Sequence, residues 1–131
     1  MLYIQKTNVT PEIQFDSNKG ILTLCGRSSP DYSQAFFEPL MKALGTFDQS
    51  IGSFQANFKM TMFNTSSAKC IYDILKRIKA MSALGTEVEV NWYYEDNDED
   101  MMECGEDFSD LLSMDFKYIE SGSFNSKHTK W

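Results

Sequence analysis

Between Ser53 and Phe63 the chain alternates, with Phe54, Ala56, Phe58, Met60 and Met62 on one parity and Gln55, Asn57, Lys59, Thr61 and Phe63 on the other. A period of two places successive side chains on opposite faces of a β-strand. From Ala68 the period lengthens. Ala68, Ile71, Ile74, Leu75, Ile78 and Met81 recur at helical spacing, while Lys69, Asp73, Lys76 and Arg77 take the opposite face. That pattern predicts an amphipathic helix, stopped at Gly85.

The same reading extends along the chain. Leu2, Tyr3 and Ile4 suggest a short edge strand within an otherwise polar stretch. Ile13 and Phe15 alternate before Asp16-Ser17-Asn18-Lys19-Gly20, and Ile21, Leu22 and Leu24 follow, which predicts a β-hairpin. Ala35, Phe36, Phe37, Leu40, Met41 and Leu44 have helical spacing up to Gly45, read as the cap, with Pro39 predicting a kink or a start nearby. Glu87 to Tyr94 alternates again, with Val88, Val90 and Trp92 on one side. Met101, Met102, Phe108, Leu111 and Leu112 predict a further helix, and Phe116, Tyr118 and Ile119 a last strand. The polar tail from Gly122 to Trp131 is expected to fray. Strand–helix–strand alternation implies crossovers and parallel pairing. The expectation is one α/β domain over residues 1–131, a mixed sheet covered by helices.

Composition narrows the function. With 19 acidic against 12 basic side chains the net charge is −7, which argues against nucleic acid and against an anionic membrane surface. Lys69, Lys76, Arg77 and Lys79 come closest together and read as a solvated helix face. No apolar run reaches the roughly 18 residues of a membrane span, and no signal-peptide core opens the chain. Cys25, Cys70 and Cys104 are odd in number and widely spaced, as expected of reduced thiols in a cytoplasmic protein. Asn64-Thr65-Ser66 formally matches a glycosylation sequon, which has no use without a secretory route.

Catalytic chemistry finds no footing. The only histidine, His128, lies in the tail, so neither a Ser-His-Asp nor a Cys-His arrangement can be built on a rigid element. Zinc spacing and Gly-rich phosphate loops are missing. Asp96, Asp98 and Asp100 match the first ligands of a calcium loop, but Met101 stands where the glycine belongs and Asp107 where the bidentate glutamate belongs. These carboxylates read instead as a solvated loop favouring the N-terminus of the next helix. Neither metal nor cofactor is expected. Cys70, in the first turns of its helix, reads as an inert buried thiol or as one whose pKa the helix dipole lowers.

The junction Asn64-Thr65-Ser66-Ser67 remains. A strand feeding directly into a helix presents unpaired N–H groups and partial positive charge. One of these side chains suffices as a cap, worth about 0.5–2 kcal/mol. The same geometry accommodates a phosphate on a neighbouring hydroxyl. Plain capping within a small-ligand-binding or structural α/β module is the alternative to a modification site.

Met62-Phe63-Asn64-Thr65-Ser66-Ser67, followed by Ala68-Lys69 and Ile71-Tyr72-Asp73-Ile74-Leu75, resembles the central motif of the SiaC family of bacterial regulatory phosphoproteins. Gly26-Arg27-Ser28-Ser29-Pro30-Asp31 leading to Phe36-Phe37-Glu38-Pro39-Leu40 is similar to that family's first helix start. Trp92-Tyr93-Tyr94, the acidic loop and Gly105-Glu106-Asp107-Phe108 are similar to its C-terminal part. The resemblance runs from about residue 9 to about residue 120. It implies a STAS-like fold, related to anti-sigma-factor antagonists, and no catalysis. It also implies a threonine phosphorylated by a partner kinase and dephosphorylated by a PP2C-type phosphatase. The unmodified form would bind and activate a diguanylate cyclase, or serve another effector, in c-di-GMP signalling and biofilm regulation. By this resemblance Thr65 is the phosphoacceptor, and Asn64, Thr65, Ser66 and Ser67 form the partner-binding turn.

Overall fold

The computed structural model describes residues 1–124. Residues 125–131 of the tail, His128 among them, lie outside the described residues. The expectation of fraying does not hold at Phe124, which is buried and donates its backbone N–H to Glu95 Oε2 at 2.9 Å.

Among the described residues, six strands and three α-helices make one layered unit: β1 Leu2–Ile4, β2 Glu12–Asp16, β3 Ile21–Ser28, α1 Ser33–Gly45, β4 Ser53–Phe63, α2 Thr65–Ala83, β5 Glu87–Glu95, α3 Glu99–Leu112 and β6 Phe116–Ser121. A short 3-10 turn, Gln49–Ile51, precedes β4. The sheet order follows the chain, β1 to β6, with β1, β2 and β3 antiparallel and the remaining pairs parallel. Each parallel crossover advances in the same direction, and right-handed crossovers then carry every helix to one face. Accordingly α2 packs between α1 and α3.

The expected mixed sheet covered by helices is observed, with the helices all on one face. On the helix side lie Ile13, Phe15, Leu22, Leu24, Phe54, Ala56, Phe58, Val90 and Trp92, all buried. The other side carries the opposite parity and is polar. Thr23, Asn57 and Asn91 are register partners, with Asn57 Nδ2 donating to Thr23 Oγ1 at 3.2 Å and Asn91 Nδ2 to Asn57 Oδ1 at 2.9 Å. Asn91 also donates to Glu89, which accepts from Lys117 on β6. Lateral hydrogen bonding between side chains replaces a helical cover, so these buried amides remain satisfied.

Helix α1 runs through Pro39 without restarting. Proline removes the bond to the carbonyl of Ala35, and burial of Phe37, Leu40 and Leu44 on both sides of it holds the helix together. Gly45 is still helical, and the cap position falls on Thr46. Helix α3 is fixed by its contact with Trp92. The indole Nε1–H donates to Met101 O at 2.9 Å, and a Cβ on Gly105 would lie 2.5 Å from Trp92 Cδ1, so only glycine permits this approach. The indole also stacks on Phe58 and Phe116.

The pairing of β3 with β4 contains one irregularity. Register runs Gly26↔Met60 and then Arg27↔Met62, leaving Thr61 as an extra residue of β4. Such a bulge reverses the facing of every later side chain. Phe63 therefore turns inward against Phe108, at 6.1 Å between ring centroids, and Met62 turns out to 37% exposure. Simple alternation assigns these two residues the other way round.

Candidate functional site

The parallel ladder continues one residue beyond β4: Asn64 N–H donates to Ser28 O at 2.9 Å. Asn64 itself is extended, with φ −82° and ψ 176°, and its Oδ1 accepts from Ser67 N–H at 2.9 Å. Its carbonyl accepts the first helical bond, from Ala68 N–H. Asn64 is thus the N-cap of α2, and Thr65, Ser66 and Ser67 form its first turn. Asn64 Nδ2 donates to Pro30 O at 3.4 Å, which ties the cap to the loop before α1.

That loop is braced from behind by Ser29 N–H donating to Val9 O at 2.7 Å, and Arg27 Nε donates to Ser29 Oγ. It delivers Ser33, the first residue of α1, beside the first turn of α2. Ser33 Oγ lies 2.7 Å from Ser66 Oγ and 3.1 Å from Ser67 Oγ, and Ser67 Oγ lies 2.7 Å from Ser28 Oγ. Ser28, Ser33 and Ser67 are all buried. Ser66 is exposed, and its hydroxyl also donates to Asn64 Oδ1 at 3.2 Å. Two helix N-termini are thereby held side by side by hydroxyls contributed from three segments.

Thr65 differs from its neighbours. It is exposed, and among the described residues its hydroxyl enters none of these bonds. A group at this position feels the positive end of a 19-residue helix. Lys69, one turn further along on the same face, pairs with Asp73 at 3.0 Å. Beside the turn, a shallow cleft of about 490 Å³ opens between Tyr32, Gln34, Glu38 and Ser66, with Tyr32 80% exposed at its rim.

The junction contains all four residues singled out in the sequence, although not in equivalent roles. Asn64 caps, Thr65 is free, Ser66 is exposed but engaged, and Ser67 is wholly buried. Ser28 and Ser33 escape sequence reasoning because no local pattern marks a serine whose partner sits across the β3–β4 pairing. Burial, then Asp73, pushes the Cys70 thiol above its ordinary range, with Lys69 opposing, the direction of an inert thiol and not of an activated one. In the acidic loop, Asp98 Oδ1 accepts from Met101 N–H at 3.1 Å and caps α3, as its carboxylate chemistry suggested. Among the described residues no helix is long and apolar enough to cross a membrane.

A family model described as SiaC family regulatory phosphoprotein matches residues 4–121. An uncharacterized protein of Pseudomonas aeruginosa (strain UCBPP-PA14) is 29% identical over 116 residues, covering 88% of this chain and 92% of the relative. A chain in the crystal structure of the diguanylate cyclase SiaD with its activator SiaC, from Pseudomonas aeruginosa, superposes with a TM-score of 0.85 at 28% identity. That match covers 92% of this chain and all of that one (100%). Apo-SiaC from the same organism superposes with a TM-score of 0.80, also at 28% identity, covering 90% of this chain and 97% of that one.

Proposed function

Because the chain belongs to the SiaC family, we propose that it is a non-catalytic regulator that binds and activates a diguanylate cyclase, with phosphorylation of Thr65 controlling that binding. SiaC of Pseudomonas aeruginosa is the activator of the diguanylate cyclase SiaD. The same output here links the protein to c-di-GMP signalling and biofilm regulation. A partner kinase adds the phosphate and a PP2C-type phosphatase removes it, both acting in the cytoplasm.

The observation that carries this reading is the condition of the Thr65 hydroxyl, exposed and unengaged at the start of a capped, rigid helix. A phosphate adds about −1.5 to −2 charges at this point, on a chain already at −7. A partner seated flush on the turn meets Thr65 and Ser66 directly, while Asn64 and the buried Ser67 hold the surface in shape. Introducing a dianion into such a contact imposes desolvation and like-charge costs on the partner.

The test compares affinity of a diguanylate cyclase from the source organism for unmodified, kinase-treated and Thr65→Ala protein. Unmodified and Thr65→Ala protein are expected to bind alike, and the phosphorylated form about a hundredfold more weakly. Equal affinity for all three would defeat the switch. Binding of none would remove the cyclase as partner.

A further inference from the structure

We infer that Ser33 determines which hydroxyl of the Thr65-Ser66-Ser67 turn is phosphorylated, by occupying Ser66 and leaving Thr65 as the sole free acceptor. The inference rests on the reading of this turn as a phosphorylation site.

The direction of the hydroxyl chain follows from its end. Ser67 N–H donates to Asn64 Oδ1, so that atom is the amide oxygen and can only accept. Ser66 O–H therefore donates to it. A hydroxyl has one proton, so at the 2.7 Å contact Ser66 Oγ accepts from Ser33 O–H. Ser33 Oγ then accepts from Ser67 O–H, and Ser67 Oγ from Ser28 O–H. Each hydroxyl donates once along the line Ser28, Ser67, Ser33, Ser66, Asn64. Ser67 is further protected by complete burial. Ser66 has no such protection, since it is exposed on the same turn as Thr65 and separated from it by one residue step.

Phosphoryl transfer requires a hydroxyl free to rotate toward the donor. The acceptor oxygen bonds to the γ-phosphorus of the kinase's nucleoside triphosphate, the bond to the β–γ bridging oxygen breaks, and the diphosphate leaves. The hydroxyl proton passes to a base on the kinase. Thr65 meets these conditions without breaking any bond. Ser66 must first give up its proton contact with Asn64 and the donor from Ser33. Removing Ser33's hydroxyl leaves Ser66 only its 3.2 Å bond to an oxygen already shared with Ser67 N–H. Ser66 then becomes a competing nucleophile. Ser33 is thus a positioning residue acting from the neighbouring helix, touching neither nucleotide nor phosphate.

The experiment expresses tagged full-length wild type, Ser33→Ala, Ser33→Thr and Ser28→Ala in the source organism and localises phosphate by electron-transfer fragmentation between Thr65 and Ser66. In wild type the phosphate is expected at Thr65. In Ser33→Ala the Ser66:Thr65 ratio should rise roughly fivefold to tenfold, the worth of one net hydrogen bond. Ser33→Thr restores the wild-type ratio. Ser28 only donates into the chain, so Ser28→Ala, though also a buried change, should leave the ratio unaltered. Should Ser33→Ala fail to fold, Ser33→Cys keeps the volume with a weak donor and carries the same expectation. Phosphate confined to Thr65 in the folded Ser33 variants overturns the inference while sparing the switch. An equal rise in Ser28→Ala overturns it too, by showing general loosening. Wild type without phosphate at any of the three hydroxyls overturns the switch and this inference together.

Discussion

Ser28 and Ser67 share a hydrogen bond of 2.7 Å across 39 residues of sequence, and neither side chain is exposed. The bond joins the end of β3 to the first turn of α2, past the bulge at Thr61 that sets the facing of the end of β4. A buried hydroxyl pair of this kind costs free energy when broken from one side. Ser67→Ala strands the Ser28 proton and is expected to lose about 1–3 kcal/mol of stability. Urea denaturation measures it, and a loss below a few tenths would mean that the pair relaxes freely.

The cap and the proposed acceptor are separate residues. Sequence reasoning leaves the cap open among the Asn, Thr and Ser side chains of the junction, whereas the structure assigns it to Asn64. Asn64→Ala should cost about 0.5–2 kcal/mol, with the bond to Pro30 lost as well. Thr65→Ala should fall within about 0.5 kcal/mol of wild type, as an exposed helical position does. The same denaturation series checks both, and a larger loss for Thr65→Ala than for Asn64→Ala would reverse the assignment.

Gly105→Ala sets two effects against each other. Alanine improves helix propensity by about 1 kcal/mol, but its Cβ would meet Trp92 Cδ1 at 2.5 Å. The indole cannot step aside easily, because Phe58 and Phe116 stack on it and Met101 O holds its N–H. Overpacking costs about 1–3 kcal/mol, so net destabilisation is expected, together with a changed tryptophan emission. An unchanged or higher melting temperature would show that α3 shifts outward at little cost.

How much of the fold and the site is legible in the sequence depends on where each signal resides. Strand β4 and helix α2 follow from the periods of Phe54 to Met60 and Ile71 to Met81, because burial on one face imposes that spacing directly. Met62 and Phe63 are misassigned by alternation because the bulge depends on pairing with β3, and a single strand's pattern carries no record of it. The bare sheet face is written in Gln55, Asn57 and Asn91, but parallel strands are so often covered on both sides that this polar parity is easily underweighted. At the site, Asn64 can be read as a cap candidate from local chemistry, whereas Thr65 is singled out only by the family resemblance. Ser28 and Ser33 cannot be read either way, since their roles exist only once β3 and β4 bring two helix starts together.

The thiols offer a pH test. Burial raises Cys70 and Cys104, with nearby carboxylates adding to it. Groups whose folded pKa is raised hold their protons more tightly in the native state, so their contribution is complete below the unfolded thiol value and is lost as pH rises through the folded one. Stability should therefore decline from about pH 8.5 upward. Alkylation at about pH 8 should be slower than for an unhindered thiol. Cys70→Ser with Cys104→Ser should flatten the alkaline decline; an unchanged slope would assign it to other groups.

Phosphorylation should stabilise the isolated domain even as it weakens partner binding. A phosphate on Thr65 sits in the first turn of α2, where helix-end charge is worth about 0.3–1 kcal/mol per unit. Lys69 lies at the following i,i+4 position, and an acid placed N-terminal to a lysine is the favourable order, worth about 0.2–0.5 kcal/mol. Lys69 now pairs with Asp73 in an exposed contact at 3.0 Å, which is worth little and is easily exchanged. Against these gains stands repulsion within a chain of net charge −7, spread over the surface and screened beyond about 8–10 Å at moderate salt. The local terms are the larger, so the phosphorylated form should be more stable by about 1 kcal/mol at low salt. Lys69→Ala should remove part of that gain, and about 0.5 M salt most of the remainder. Urea denaturation of both forms at two ionic strengths measures this. A phosphorylated form less stable than the unmodified one at low salt would mean that the phosphate disrupts the turn, and that the switch acts by unfolding the α2 start instead of recharging its surface.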